Sequence, residues 1–252
     1  MIRLGNFLFK YRDIVFTLVF VTLALATGPV LWGGTIARDR AADALGLLTS
    51  LTGQALRFAV IGFAYIRRGG VNKTIQADVL VQDGLFAHCR NPLYVGNVLV
   101  VIGLMVIHGS PWFLLLGASF YLVSYSAIVA AEEQWLRGHF GAEYEDYCRR
   151  VPRFWVDFRG LRQTAEGLVF NWSLVARKEY GTTFYWIACA IALLIWERVR
   201  YQGYAASAHT VQLLALGYVP LVIAYTVIRV LKKRRLLGRG HAPQRRASGA
   251  AP

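Results

Sequence analysis

This 252-residue sequence predicts an all-α integral membrane protein of about six transmembrane helices. Three observations carry that reading. Hydrophobic residues make up 56% of the chain and charged residues 17%, against about 25% charge in an ordinary soluble domain. The apolar residues are gathered into long runs. The basic residues outside those runs fall almost entirely on one side of the topology the runs define. A soluble enzyme, a disulfide-stapled secreted module and a disordered chain are excluded by the same composition.

A membrane helix needs about 20 predominantly apolar residues, with a range of about 17–25. Six runs qualify or come close: 14–36, 44–66, 93–107, 111–131, 180–196 and 210–228. The first is preceded by Arg3, Lys10 and Arg12, and Ala24-Leu25-Ala26 resembles a signal-peptidase site. The run continues well past that point, too far for an ordinary signal peptide, so it is read as a retained span. The second run is interrupted only by Gln54 and Arg57. The third and fourth are joined by the tight turn at His108–Pro111 and read as a helical hairpin.

Cytoplasmic loops of membrane proteins carry the excess Lys and Arg. With the N-terminus inside, the segments 1–13, 67–92, 132–179 and 229–252 hold 23 of these residues and the opposite side holds 4. This predicts a multi-pass protein with both termini cytosolic. It also accounts for most of the net charge of +14 without invoking nucleic acid. The three cysteines, Cys89, Cys148 and Cys189, form no zinc or redox motif and read as reduced thiols.

The chain divides into a two-span N-terminal segment (1–75), a core (76–156), an amphipathic segment with two further spans (157–231) and a basic tail (232–252) expected to be disordered. The tail opens with Lys232-Lys233-Arg234-Arg235, which serves as a stop-transfer anchor or as a contact for anionic lipid headgroups. Leu161, Ala165, Leu168, Trp172 and Val175 recur at helical spacing. They predict an amphipathic helix, lying in the membrane interface or packed on the cytosolic face.

Polar chemistry concentrates at the cytosolic ends of spans three and four. Before span three stand His88, Arg90 and Asn91, then Pro92, which suits the first turn of a helix because its missing N–H costs nothing there. The amides of Tyr94 and Val95 are expected to be free donors at the positive helix end. Arg90 and Asn91 are placed to hold a carboxylate, and Tyr94 and Gly96 to give an aromatic wall and close backbone approach. After span four stand Glu132 and Glu133, either half of a pocket for a zwitterion or solvated helix-end charges. Arg153 is the candidate for orienting an anionic acceptor or headgroup; the alternative is a plain surface charge. Arg57, inside span two, is a polar anchor in a substrate tunnel or pairs with helix-end carbonyls or Gln54. No set of His, Cys, Asp or Glu with metal-ligand spacing is apparent, nor a nucleophile elbow or phosphate loop.

Arg90-Asn91-Pro92-Leu93-Tyr94-Val95-Gly96 resembles the Arg-His-Pro-x-Tyr-x-Gly motif of the isoprenylcysteine carboxyl methyltransferase and phospholipid methyltransferase superfamily. Glu133, Leu136, Phe140-Gly141, Tyr144, Tyr147 and Val151-Pro152-Arg153 are similar to that superfamily's downstream pattern, in the same order and across the same hairpin. The similarity covers about residues 76–156. It implies an S-adenosylmethionine-dependent methyltransferase embedded in the membrane, with the cofactor entering from the cytosol. The lipophilic or lipid acceptor, a carboxylate or an amine, would enter from the bilayer. His88, Arg90, Asn91, Pro92, Tyr94, Gly96, Glu132, Glu133, Tyr144 and Tyr147 would line the cofactor site, with Arg153 on the acceptor. Asn91 replaces the motif histidine, and Val156 stands where a proline is common. The fold also occurs in NADPH-dependent membrane sterol reductases, which are longer, and a non-catalytic protein keeping the fold is a further alternative.

Overall fold

Proline and glycine mark where the helices of this chain start and stop. The computed structural model describes residues 1–63, 79–166 and 169–237. Its helices are α1 (Ile2–Thr27), α2 (Ile36–Phe63), α3 (Pro92–His108), α4 (Pro111–Phe140), α5 (Ala142–Arg150), α6 (Leu161–Glu166), α7 (Trp172–Leu216) and α8 (Tyr218–Lys233), with short 3₁₀ turns at Trp32–Gly34 and Gly84–Ala87. Among the described residues there is no strand. Pro92 opens α3, and Gly109 closes it in the left-handed region at φ 80°, where an added Cβ would strike the Val30 carbonyl. Ser110 then caps α4 by accepting from the Phe113 amide at 3.4 Å, with Pro111 in the first turn.

Among the described residues, four stretches are long and apolar enough to cross a membrane: Ile2–Gly34, Ile36–Phe63, Pro111–Phe140 and Trp172–Lys233. α3 is a shorter apolar helix of 17 residues, about 25 Å long at 1.5 Å per residue. The last stretch, 62 residues, breaks at Gly203, whose φ of 74° and ψ of 158° are non-helical. Its two limbs fold back on each other. Tyr218 donates to the Ala188 carbonyl at 2.7 Å, Tyr225 lies against Phe184 and Tyr180, and Lys232 donates to the Arg177 carbonyl at 3.1 Å. The spans expected at 180–196 and 210–228 fall one on each limb.

α2 and α3 run antiparallel on a seam of small residues. A Cβ on Gly53 would lie 2.5 Å from the Gly96 carbonyl oxygen, and one on Gly46 would lie 2.6 Å from that of Gly103. Both pairs are two turns apart, so four glycines let the backbones touch, as small residues do where membrane helices pack. α1 lies antiparallel along α4: Gly5 abuts the Ala127 carbonyl, and Phe16 meets Phe120, Tyr121 and Tyr125 edge-on. The N-terminus, the start of α3 and the end of α4 therefore share one end of the bundle.

Three expectations need correction. The first helix begins at Ile2 and ends at Thr27 rather than spanning 14–36. A helix tolerates Arg3 and Lys10, which are exposed, and Arg12, which is half-buried, whereas Gly28 at φ 60° followed by Pro29 stops it. The single amphipathic helix across 161–175 is instead two pieces, α6 and the start of α7. The chain is pinned between them: the Asn171 amide donates to the Gly62 carbonyl at 2.8 Å, the Phe170 ring covers Gly62, and the Asn171 side chain caps α7 by accepting from the Leu174 amide at 2.9 Å. Lys232 and Lys233, assigned to a disordered tail, form the last turn of α8, where cations meet the negative helix end. Residues 64–78, including the expected end of span two, and the tail beyond 237 lie outside the described residues.

Candidate functional site

The start of α3 and the end of α4 meet on one carboxylate. Glu133 lies on the buried face of α4, its side chain only 6% exposed. Arg153 grips both of its oxygens, Nε to Oε1 at 3.1 Å and Nη2 to Oε2 at 3.0 Å. Arg90 adds a contact from Nη1 to Oε1 at 3.2 Å, and Arg137, one turn along α4, stands 4.0 Å from Oε2. Two-point geometry of this kind is the strong form of an arginine–carboxylate pair. Arg90 also reaches Cys148 Sγ with Nη1 at 2.7 Å. Its Nε is buried with no hydrogen-bond partner among the described residues.

The backbone that carries Arg153 is tied to the α3 start by several bonds. The Arg90 amide donates to the Pro152 carbonyl at 2.9 Å, and the Asn91 side chain donates to the Arg153 carbonyl at 3.1 Å. Asn91 thus holds the Val-Pro-Arg turn in place. The buried Cys89 thiol points at the same carbonyl at 3.8 Å, and burial pushes its pKa up. His88 bridges the next segment. Its Nδ1 is 2.7 Å from the Asp157 carbonyl and its Nε2 2.9 Å from the Thr164 hydroxyl, while its own carbonyl accepts from the Asp157 amide at 2.9 Å. The Asp157 carboxylate is held below its ordinary pKa by the Arg159 amide and then by the Arg159 side chain.

Glu132 points elsewhere. Its Oε1 accepts from the Tyr94 hydroxyl at 2.8 Å, and the Tyr94 ring lies 5.3 Å from that of Tyr125. The adjacent glutamates therefore serve two directions, Glu133 toward the arginines of the cap and Glu132 toward the helix interior. A cavity of about 490 Å³ opens beside the arginines, lined by Arg90, Cys148, Val151, Pro152, Val156 and Asp157 among others. A second, apolar cavity of about 140 Å³ lies between α2, α7 and α8, with Phe58, Tyr180, Phe184 and Tyr225 in its wall.

The structure thus brings together Arg90, Asn91, Pro92, Glu133 and Arg153, and separately Tyr94 and Glu132. The others have different work. The amides of Tyr94 and Val95 are not free donors: both go to the Asn91 carbonyl, at 3.1 and 3.2 Å. Both ring nitrogens of His88 are already engaged. Gly96 is needed for the α2–α3 seam, where a Cβ would also meet the Arg57 side chain at 2.7 Å. Tyr144 and Tyr147 are 1% exposed and pack with Leu80, Leu136 and Val151, and Tyr147 donates to the Phe86 carbonyl at 2.7 Å. They pack α5 onto the end of α4.

Arg57 is paired with a residue outside the sequence-based candidates. Its Nε and Nη2 grip Glu179 at 2.7 Å each, and its Nη1 donates to Asn97. Gln54 donates to the same glutamate at 3.1 Å and accepts from Trp186 Nε1 at 2.9 Å. This network ties α2, α3 and α7 together. At the far end of the bundle, Asp39, Asp43 and Glu197 converge although their spacing in sequence shows no metal-ligand pattern.

Among the described residues the core is all-helical, with long apolar helices and with arginines and glutamates paired at the mouth of a helical hairpin, the arrangement of a multi-pass membrane protein. Comparison with known proteins gives the family. Residues 42–143 match the phospholipid methyltransferase family. The chain is 31% identical over 156 residues to the cobalt-zinc-cadmium resistance protein CzcN of Cupriavidus metallidurans, covering 60% of this chain and 66% of that protein. It is 32% identical over 115 residues to the protein-S-isoprenylcysteine O-methyltransferase of Schizosaccharomyces pombe, covering 44% and 47%. With the mouse protein of the same name it shares 34% over 125 residues, covering 48% and 43%. The chain thus spans two thirds or less of the relatives it matches. Through this core it is similar to the isoprenylcysteine carboxyl methyltransferase and phospholipid methyltransferase superfamily. No solved structure matches it significantly.

Proposed function

We propose that this protein is an S-adenosylmethionine-dependent methyltransferase that modifies a lipid or isoprenoid-like acceptor at the cytosolic face of a membrane. It would cross that membrane six times, with both termini cytosolic. The observation that carries the reading is the Glu133 cluster, which joins the two family motifs through Arg90 and Arg153 at one end of the hairpin.

The residues present suit such a cofactor. The cavity of about 490 Å³ beside Arg90 lies within the range of about 300–1,000 Å³ usual for small-molecule sites. The unpartnered Nε of Arg90 leaves a buried donor for the carboxylate of the amino-acid moiety. Glu132 or Glu133 would receive its ammonium or ribose. Bound S-adenosylmethionine supplies an electrophilic methyl group, so this chain has to position the acceptor rather than provide a covalent nucleophile. A carboxylate acceptor is already ionised. An amine acceptor must lose a proton, and Glu132 with the Tyr94 hydroxyl is the pair available to take it. The apolar cavity of α2, α7 and α8 would take the acceptor's hydrocarbon.

The test is purified protein in detergent supplied with methyl-labelled S-adenosylmethionine and a lipid extract. Label should appear in the organic phase, on a species heavier by one methylene. Binding of NADPH without S-adenosylmethionine would make the protein a reductase, and binding of neither would make it non-catalytic. The name of the Cupriavidus relative points to growth with cobalt, zinc or cadmium as the condition in which to seek the product.

A further inference from the structure

We propose that Asp39, Asp43 and Glu197 form a binding site for one divalent cation at the end of the bundle opposite the Glu133 cluster. The two ends are separated by the length of α3, about 25 Å, so this site does not rest on the methyltransferase reading.

Asp39 and Asp43 are one turn apart on the same face of α2, and Glu197 faces them from the first limb of α7. One oxygen from each of the three carboxyls lies within 4.8 Å of the other two. A cation with metal–oxygen distances of about 2.3–2.6 Å bridges such a gap. The residues are 1%, 6% and 1% exposed, so water does not neutralise them.

What distinguishes this cluster from a set of clustered acids is its unmet bonding. Asp39 Oδ1 accepts from the Trp32 amide at 3.0 Å, and Asp43 Oδ2 accepts from Arg198 Nη2 at 3.1 Å. That leaves Asp39 Oδ2, Asp43 Oδ1 and Glu197 Oε2, all buried and all without a hydrogen-bond partner among the described residues. Each residue thus contributes one orphaned oxygen. Uncompensated burial of an ionised carboxylate is strongly unfavourable. With all three ionised, as cation binding would require, and the Arg198 guanidinium beside Asp43, the cluster would carry a charge of minus two, which one divalent cation cancels. The donor set is all carboxylate oxygen, suited to hard cations such as magnesium, manganese or calcium rather than to thiophilic metals.

The position gives the ion a structural consequence. It would clamp the start of α2 to α7, beneath the turn at Trp32–Gly34, whose Trp32 indole donates to the Val106 carbonyl at 2.8 Å.

The experiment is manganese titration of the full chain in detergent after chelator treatment, read by electron paramagnetic resonance. About one equivalent should bind and be displaced by magnesium or calcium. Asp43→Asn and Glu197→Gln should each weaken it at least tenfold, while Asp146→Asn, at an exposed acid of α5, should not. Manganese should raise the melting temperature of the parent and leave that of Glu197→Gln unmoved. A parent that binds no manganese, and whose melting temperature no divalent cation shifts, would overturn the proposal in favour of carboxyls sharing protons. So would binding that survives both substitutions or is lost in Asp146→Asn.

Discussion

Arg153 closes on Glu133 with two bonds, 3.1 Å from Nε and 3.0 Å from Nη2, across 20 residues of sequence. The fork that the sequence assigned to an acceptor is therefore occupied by a carboxylate of the protein itself. Arg153 still sits at the rim, with 36% of its side chain exposed. In this arrangement it sets where Glu133 lies, and Glu133 in turn sets Arg90.

Glu133→Gln and Glu132→Gln should therefore differ sharply. Glu133 balances two close arginines, and removing one member of a buried ionic set costs about 3–5 kcal/mol. Its loss should lower the melting temperature. It should also weaken S-adenosylmethionine binding by roughly 10- to 150-fold, the equivalent of one charge-assisted hydrogen bond at about 1.5–3 kcal/mol. Glu132→Gln keeps an acceptor for the Tyr94 hydroxyl and should change the melting temperature little. Calorimetry and thermal melts on both variants decide the matter; equal effects would mean that the two carboxylates are not functionally divided.

Arg153→Lys preserves charge but cannot make the two-point contact. Turnover should fall at least tenfold. Arg38→Lys and Arg40→Lys, exposed at the start of α2 and away from this cavity, should stay within about twofold. Rates for all three in one detergent provide the comparison, and a normal Arg153→Lys would move the acceptor's anchor away from this turn.

Breaking the Arg57–Glu179 pair should be among the most damaging changes in the membrane core. Either Arg57→Met or Glu179→Leu alone leaves a buried charge, at about 3–5 kcal/mol, whereas the double variant removes both charges together. The double should consequently melt above either single, a coupling that a double-mutant cycle measures directly. Additive losses would show that the pair contributes no joint term.

The glycines of the α2–α3 seam offer a test of packing without charge. Gly53→Ala places a methyl 2.5 Å from the Gly96 carbonyl and should cost about 1–3 kcal/mol, the usual penalty for overpacking. Gly138→Ala, in α4 with open space around it, should stabilise by about 0.5–1 kcal/mol because alanine is the better helix former. Opposite shifts in melting temperature are expected.

The helices themselves were legible because apolar length and Pro/Gly punctuation are local signals: α3 from Pro92 to Gly109 and the turn into α4 follow directly from them. Helix starts were less visible. A charge such as Arg12 or Lys178 interrupts an apolar run without interrupting a helix, so α1 and α7 both begin well before their apolar stretches. The motif residues Arg90, Asn91, Glu133 and Arg153 do gather, yet which of them face a cavity depends on partners that spacing does not reveal. Tyr147 and His88 look like site residues in sequence and are held by the Phe86 and Asp157 carbonyls in the fold. Glu179 was missed because it precedes its apolar run by one residue. A buried Arg57 signals that some acid must approach it, and Glu179 is the one that α7 carries there. Asp39 and Asp43 show i, i+4 spacing, but Glu197 lies over 150 residues away in sequence and joins them only through tertiary packing.

The cysteines give a pH-dependent check on the cap that holds Arg153. Cys89 is 1% exposed, and burial raises its thiol pKa above the ordinary value. Since the thiolate is the reactive form, its alkylation should be slow at neutral pH for two reasons, access and protonation. The rise in rate should come at higher pH than for a free thiol, because a raised pKa keeps the group neutral over a longer alkaline interval. Cys148 is only partly buried and should label first. Asn91→Ala removes the bond to the Arg153 carbonyl and frees the turn that covers Cys89. It should therefore speed Cys89 labelling while leaving Cys148 unchanged, as peptide mass spectrometry after timed iodoacetamide treatment would measure. Equal labelling of Cys89 in the parent and in Asn91→Ala would mean that Asn91 does not hold the Val-Pro-Arg turn closed.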